Sequence, residues 1–269
     1  MEKVFDKSLL YFFILTTIII LFIINNSAFN NSNPTCNNFV VNVYLYLAIS
    51  VLSIGLFSYL INLILFGKSR KYFKPLDSYE IFQNMNVFFY IFSAIMTLIL
   101  VVLIAISNGF DNNNVIYNHI IWLLFLFFIS VTLYPRLKDI DTYKYIDFAI
   151  LTTSIIFLVM TYFYYMFSDL FLNNMSAIGM GLLLSLVVII IVELINIFFL
   201  SGTTAVNLMK ITSYIVILIF SLFVSYDTAE MAIRAEECTS LPNYPKFSID
   251  FFLDILNMFS RILFLSSRK

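Results

Sequence analysis

The fold is decided by residues 177–200, whose sequence is AIGMGLLLSLVVIIIVELINIFFL with Glu193 as its one charged residue. A bilayer core of about 30 Å is crossed by about 20 helical residues, so this stretch is long enough to span a membrane. Barrel strands would alternate apolar and polar side chains, whereas residues 182–191 are almost continuously apolar. Because lipid offers no partner for free backbone N–H and C=O groups, we predict a membrane-spanning helix.

The composition of the whole chain agrees with a membrane protein. Of its 269 residues, 61% are hydrophobic and 12% are charged, and the mean hydropathy is +0.95. Soluble domains have about 45–50% apolar and about 25% charged residues, so water-soluble, disordered, collagen-like and coiled-coil proteins are excluded. The net charge of -1 provides no basic surface for nucleic acid. One histidine and two cysteines are too few for a zinc cluster built from those two residue types.

Eight apolar stretches have spanning length. They cover residues 8–25, 39–66, 81–107, 115–134, 148–167, 177–200, 207–226 and 248–265. The first follows Lys3 and Lys7, as in a signal peptide, but it is longer than a signal core and has no small-x-small cleavage site. We therefore interpret it as a retained helix. The sequence predicts an all-α polytopic membrane protein of seven to eight transmembrane helices, with one transmembrane domain over residues 1–269.

The basic residues predict the orientation of the helices. The second and fourth loops are basic, and the first, third and fifth loops have almost no Lys or Arg. The basic residues of the two loops are Lys68, Arg70, Lys71, Lys74, Arg136, Lys138 and Lys144. Cytoplasmic loops carry an excess of Lys and Arg, so we expect these two loops and the amino terminus in the cytosol. Glycosylation patterns at residues 25–27, 30–32 and 174–176 all fall in the first or fifth loop, in agreement with this orientation.

The two cysteines lie in loops that this orientation places on the same, non-cytosolic side. Cys36 lies in the first loop and Cys238 in the seventh. A disulfide persists in an oxidising compartment, so these residues are a possible disulfide pair. Sequence does not fix the distance between them, and two unpaired thiols are the equal alternative.

Charged residues inside the apolar stretches are the main indication of function. An ionised side chain near the bilayer centre costs about 2.5–3.5 kcal/mol on insertion scales, so it persists where it has a partner or a use. In the last stretch the polar residues recur at intervals of four, three and four, which places them on one helix face. They are Asp250, Asp254, Asn257 and Arg261. We expect this stripe to avoid lipid and the last helix to lie centrally in the bundle. The stripe would then face either an internal water-accessible route or carboxylates on neighbouring helices.

The acidic residues in the last two stretches differ in how well a purely structural role explains them. Asp250 follows Ser248, a plausible N-cap, and its main interpretation is compensation of the helix dipole in the first turn. Asp254 lies deeper, where that effect has faded, so a functional role is favoured. Asp227 ends the seventh stretch and would be only a helix-end residue if it did not pair with Asp254.

The remaining polar residues are secondary candidates. Arg261 is interpreted first as a side chain that reaches the far interface, with a link to Asn257 or Asp254 as the alternative. Glu193 lies near the end of its stretch, and the headgroup region and a buried functional position are equal alternatives for it.

The carboxy-terminal part of the chain resembles the transmembrane Bax inhibitor motif family. The resemblance covers residues 225–265 and is most specific in two acidic motifs, Tyr226-Asp227-Thr228 and Leu253-Asp254. The two aspartates lie 27 residues apart. The matching sequence also includes Ala235-Glu236, Tyr244, the segment 249–254 (IDFFLD), Phe259 and Leu263.

The resemblance implies a seven-helix bundle around a central last helix. It also implies a pH-sensitive calcium leak pathway in intracellular membranes that opposes cell death, with Asp227 and Asp254 as the two functional aspartates. The number of spans, seven or eight, and the membrane face nearer to the pair stay open. No cofactor is expected. The expected partners are the bilayer, Ca²⁺ as the permeating ion, protons, and other membrane proteins or death regulators, in a membrane of endoplasmic reticulum or Golgi type or of a virus.

The implied aspartate pair has a simple chemistry. Two carboxylates that face each other in a low-dielectric gap do not both ionise cheaply, so they share a proton and titrate as a unit. Loss of that proton would make the two helices repel each other and leave an anionic oxygen site suited to Ca²⁺. Asp227 and Asp254 are therefore also the candidate weak Ca²⁺ ligands.

Two other classes of protein remain as alternatives. An intramembrane aspartyl protease would use Tyr226-Asp227, but its second aspartate normally follows Gly-x-Gly, and here Phe252-Leu253 precedes Asp254. His119 has no nucleophile near it in sequence and no phosphate-binding loop is present, so we do not expect an enzyme. A structural multi-pass protein, such as a viral or organelle membrane scaffold, is the stronger alternative.

Overall fold

The structure, a computed structural model, describes residues 2–30, 33–66, 85–106, 115–238 and 242–268. Most of these residues are helical. In chain order the helices are α1 (Glu2–Ala28), α2 (Phe39–Phe66), α3 (Val87–Ile106), α4 (Val115–Lys138), α5 (Ile140–Tyr143), α6 (Ile146–Met166), α7 (Ser168–Phe199), α8 (Gly202–Glu236) and α9 (Tyr244–Ser267). Between α1 and α2, strands β1 (Phe29–Asn30) and β2 (Asn33–Pro34) pair antiparallel, with Phe29 opposite Pro34.

Seven of the described helices are long and apolar enough to cross a membrane, namely α1, α2, α3, α4, α6, α7 and α8. Many of their large hydrophobic side chains are exposed, as expected when the surrounding solvent is lipid. The eighth long helix, α9, has 24 residues but carries the polar stripe, which makes it less apolar. These findings confirm the predicted all-α polytopic membrane fold and show that the chain is an integral membrane protein.

Several helices extend beyond the apolar stretches that predicted them, among them α7 and α8. The sixth stretch begins at residue 177, but α7 begins at Ser168 because Asn174 forms a kink rather than a loop. Its Nδ2 donates a hydrogen bond to Leu170 O at 3.0 Å across the kink. The seventh stretch ends at residue 226, whereas α8 continues to Glu236. Alanine, glutamate, methionine and arginine in this last part of α8 are all good helix formers.

The basic residues that predicted the orientation are only partly described. Lys68, Arg70, Lys71 and Lys74 lie outside the described residues, as does part of the glycosylation pattern at residues 30–32. Arg136 and Lys138 lie in the last turn of α4 rather than in a loop. The cytosolic position of the amino terminus therefore stays a prediction.

The chain divides into two compact units. The first consists of residues 1–143 and 235–249. Within it, α2 packs against α1 and α4, and α3 packs against α4. One of its cores contains Ile61, Val131 and Tyr134, all buried. The Tyr134 hydroxyl donates a hydrogen bond to Asn62 Oδ1 at 2.9 Å, so its polar end is satisfied without water.

The second unit consists of residues 144–234 and 250–269. It contains α6, α7, most of α8 and most of α9. Met258 of α9 is completely buried in a cluster with Val224 of α8 and Leu182 of α7. On another side of α9, Ile262 packs with Ala149 of α6. Within this unit, therefore, the last helix contacts three other helices, as expected for a central helix.

Candidate functional site

The second unit brings Asp227 of α8 and Asp254 of α9 together. The two helices follow each other along the chain, and the cluster around Met258 packs one against the other. The two aspartates lie at similar distances from the α8–α9 connection, nine residues before the end of α8 and ten residues after the start of α9. Antiparallel packing therefore places both side chains at the same level.

The two carboxyl groups form a side-chain hydrogen bond with each other. A hydrogen bond between two carboxyl groups requires one of them to carry a proton, because an ionised carboxylate is only an acceptor. Asp254 is 4% exposed and its Oδ2 has no hydrogen-bond partner. Asp227 is half-buried. The arrangement is therefore a carboxyl pair with one inner, unsatisfied oxygen.

Two more acidic residues lie near this pair. Asp250 interacts electrostatically with both members of the pair, and Glu230 interacts with Asp227. Asp250 is exposed and Glu230 is 39% exposed, so both are more accessible than Asp254. Among the described residues, no Lys or Arg forms an ion pair with Asp227 or Asp254. The pair thus lies beside two further acidic residues, and no described Lys or Arg is ion-paired with it.

The helices around the pair are held by contacts close to it. Ser225 Oγ, two residues before Asp227, donates a hydrogen bond to Met160 O of α6 at 2.7 Å. Tyr226 lies against Gly179 of α7, where a Cβ atom would be 2.8 Å from the tyrosine hydroxyl. This close approach explains why glycine is the residue that fits there. Contacts from α6 and α7 therefore fix the segment of α8 that carries Asp227.

The polar stripe on α9 continues from the pair to an ion pair. Arg261 Nη2 lies 2.5 Å from Glu193 Oε1 of α7, and both side chains are mostly buried. Arg261 therefore contacts a carboxylate on a neighbouring helix, which is one of the two alternatives for the stripe. The position at the far interface and the link to Asn257 or Asp254, considered for this residue alone, did not include Glu193. Asn257 Nδ2 donates a hydrogen bond to Leu253 O at 2.8 Å on its own helix. The structure thus brings Glu193 and Arg261 together and leaves Asn257 in a local contact.

The first unit contains the two cysteines, which form a disulfide. Cys36 and Cys238 have their Cα atoms 5.8 Å apart, within the usual range for a disulfide. The bond joins the segment before α2 to the segment after α8. Near it, the Tyr244 hydroxyl donates a hydrogen bond to Thr35 O and accepts one from Asn42 Nδ2 at 3.3 Å. The disulfide is therefore part of a connected polar cluster in this unit.

Sequence reasoning missed a second part of this polar cluster. His119 Nε2 accepts a hydrogen bond from the Tyr46 hydroxyl at 2.7 Å, while its Nδ1 donates to Val115 O at 2.7 Å. Trp122 Nε1 donates a hydrogen bond to Ser50 Oγ at 3.2 Å. Residues 42, 46 and 50 of α2 (Asn, Tyr, Ser) are spaced by four, so their shared helix face was a signal available in the sequence.

The described residues contain no group of three or more His, Cys, Asp or Glu side chains placed to hold a metal ion. Calcium is normally bound by six to eight oxygen ligands, many more than two aspartates offer. Among the described residues, Asp227 and Asp254 are therefore not part of a closed metal site.

The chain matches a known protein family over most of its length. Residues 36–268 match the family described as "Inhibitor of apoptosis-promoting Bax1", which covers the described parts of α2 to α9 and both aspartates. No curated protein matches the chain significantly in sequence.

Proposed function

The chain belongs to the Bax inhibitor family, and we propose that it is a pH-sensitive Ca²⁺ leak pathway gated by Asp227 and Asp254. The observation that carries this proposal is the hydrogen bond between the two carboxyl groups. Such a bond exists only while a proton is shared, so the contact between α8 and α9 at this level depends on protonation.

The protonated pair corresponds to the closed state. With the proton shared, the hydrogen bond holds α8 and α9 together and no full charge faces a passing ion. No Lys or Arg of the described residues forms an ion pair with either aspartate, so in this proposal the shared proton is what joins the two carboxyl groups. The hydrogen bond is therefore the contact that must break before a cation passes between the two side chains.

Loss of the shared proton corresponds to the open state. Two carboxylates a few ångströms apart in a low-dielectric environment repel each other strongly. The repulsion favours separation of α8 from α9 at this level and exposes anionic oxygens, including Asp254 Oδ2, which already lacks a partner. We therefore expect the leak to increase as the pair loses its proton.

The small number of ligands favours transport over storage of the ion. Conduction requires that an ion binds well enough to enter and weakly enough to leave. Two carboxylates with water as the remaining ligands meet this requirement for a hard divalent cation. Ca²⁺ is thus the transported ion in this proposal, and the protein needs no resident cofactor.

The proposed setting is an intracellular membrane. The disulfide between Cys36 and Cys238 would be stable on a non-cytosolic face. The description of the matching family points to a role in opposing Bax-dependent cell death, in which other membrane proteins or death regulators would be partners. The Bax inhibitor family is not a known enzyme family, so we propose transport rather than catalysis.

The test is a Ca²⁺ flux measurement with purified protein in liposomes that contain a Ca²⁺-sensitive dye. The wild type should leak Ca²⁺ in a pH-dependent manner, and Asp227→Asn and Asp254→Asn should each flatten that dependence. Asp169→Asn is the matched control because Asp169 is an exposed aspartate in the first turn of α7. Equal fluxes at every pH in the wild type, both pair variants and the control would leave a structural membrane protein as the better explanation.

A further inference from the structure

A second pair of acidic residues lies one helical turn from the proposed gate, and we refer to Glu230 and Asp250 as the flanking acids. Glu230 follows Asp227 by three residues on α8, and Asp250 precedes Asp254 by four residues on α9. Residues at these spacings share a helix face. Because α8 and α9 run in opposite directions, both flanking acids lie on the same side of the gate, toward the α8–α9 connection.

The accessibility of the four acids decreases toward the gate. Asp250 is exposed, Glu230 is 39% exposed and Asp227 is half-buried, whereas Asp254 is 4% exposed with an oxygen that lacks a hydrogen-bond partner. The flanking acids are also close enough to the pair to interact with it electrostatically. A cation that reaches Asp254 from this side therefore passes accessible carboxylates first.

The flanking acids do not join the pair in a chelating group. No group of three or more acidic, histidine or cysteine side chains in the described residues is placed to hold a metal ion. Their effect on a cation would therefore act through the electric field, which raises the local cation concentration without binding the ion tightly. Rings of acidic side chains have this role at the mouths of cation channels.

We propose that Glu230 and Asp250 form an electrostatic vestibule that attracts divalent cations to the gate and determines their preference over monovalent cations. This inference rests on the proposed leak function, because it assigns a selectivity role at the same pathway. A divalent ion gains twice the attraction of a monovalent ion from each fixed charge. The vestibule would thus favour Ca²⁺ over Na⁺ or K⁺.

The nearest cations along the two helices oppose this field. Arg234 Nη2 lies 3.9 Å from Glu230 Oε1 in an exposed contact four residues along α8. Lys246 precedes Asp250 by four residues on α9. An exposed pair such as that of Arg234 and Glu230 is weak, so it reduces the attraction without abolishing it. Removal of Arg234 should therefore have the opposite effect to removal of Glu230.

The expected size of the effect follows from Coulomb's law. One fixed charge about 8 Å from a divalent ion in water attracts it by about 1 kcal/mol, which is about fivefold in local concentration. We expect Glu230→Gln, which removes one charge, to lower the Ca²⁺ leak by about fivefold at about 10 mM salt, and Glu230→Gln/Asp250→Asn to lower it by about 25-fold. At about 150 mM salt the Debye length is about 8 Å, and each charge removed should then lower the leak by only about twofold.

The experiment measures Ca²⁺ and Na⁺ leak from proteoliposomes at both salt concentrations. Asp169→Asn removes one exposed negative charge from α7 and serves as the control. We expect Glu230→Gln/Asp250→Asn to lower the ratio of Ca²⁺ to Na⁺ leak, and Arg234→Gln to raise it. The single variant Glu230→Gln provides a second test if the double variant loses thermal stability in detergent.

The outcomes separate this inference from the proposed function. If the wild type leaks and Asp227→Asn changes the pH dependence, but Glu230→Gln and the double variant behave like Asp169→Asn, the vestibule is refuted and the gate stands. If the wild type does not leak at all, both proposals fail together. A leak ratio that does not change with salt in the wild type would also overturn the vestibule.

Discussion

Gly179 provides a sharp test of the packing beside the proposed gate. An alanine Cβ at this position would lie 2.8 Å from the Tyr226 hydroxyl oxygen and 3.0 Å from two of its ring carbons. Rotation of the hydroxyl does not relieve the ring contacts, so the tyrosine ring must shift. Gly181 lies two residues further along the same helix, and a Cβ there would have no atom within 4 Å.

The comparison of the two alanine variants isolates the steric effect. Both substitutions change the helix propensity by the same amount, up to about 1 kcal/mol, so this contribution cancels in their difference. Overpacking of a close contact costs about 1–3 kcal/mol. Because the tyrosine ring can move, we expect Gly179→Ala to be about 1–2 kcal/mol less stable than Gly181→Ala.

The assay is thermal unfolding of the purified variants in one detergent, followed by circular dichroism. A difference of 1–2 kcal/mol corresponds to about 2–8 °C in Tm for a chain of this size. In the background of Tyr226→Phe, the difference should shrink because the hydroxyl contact is gone, as a double-mutant cycle would measure. Equal Tm values for Gly179→Ala and Gly181→Ala would refute the close packing of α7 against Tyr226.

Three other substitutions or treatments test the remaining contacts. Met258→Ala should lower stability by about 2–5 kcal/mol because it leaves a cavity in a fully buried cluster, and an unchanged Tm would contradict this packing. Arg261→Met should lower the Tm more than Glu193→Gln/Arg261→Met, because the single change leaves an unpaired carboxylate. The reverse order of Tm values would count against the ion pair. Cys36 and Cys238 should react with a maleimide only after reduction, and labelling without reductant would exclude the disulfide.

Local properties of the sequence predict the fold. They also predict that the two aspartates lie at the same height along α8 and α9. Spanning helices are set by length and hydrophobicity, because lipid leaves few alternatives for the backbone. The polar stripe on α9 follows from helical periodicity, which predicted that it would avoid lipid. Asp254 is buried and Arg261 is mostly buried, as that periodicity requires, whereas Asp250 of the same stripe is exposed.

The partner of Arg261 could not be predicted in the same way. Its contact with Glu193 joins two helices that are distant in sequence, and periodicity indicates only which face of a helix is polar. Both residues were noted as single candidates because each is a charge in an apolar stretch. Buried charges of opposite sign in different membrane spans pair with one another. Applied to Glu193 and Arg261, this rule would have suggested their contact.

The hydrogen-bond cluster around Tyr46 was missed for a different reason. Tyrosine, asparagine and serine are common in this chain and carry no charge, so they do not stand out in a hydrophobic stretch. Their spacing of four residues on α2 indicates a shared polar face. Their partners, such as His119 on α4, depend on how the helices pack. Helix extensions such as residues 227–236 of α8 were missed because hydropathy indicates the apolar length rather than the helical length.

The most direct test of the shared proton is infrared spectroscopy of the protein in lipid, which detects the C=O stretch of a protonated carboxyl group. The account predicts a protonated-carboxyl band in the wild type that disappears on raising the pH over the same range in which the Ca²⁺ leak increases. Asp227→Asn and Asp254→Asn should each remove the band, and Asp169→Asn should keep it. A wild type without this band while the leak is low, or a band that survives both pair substitutions, would contradict the account.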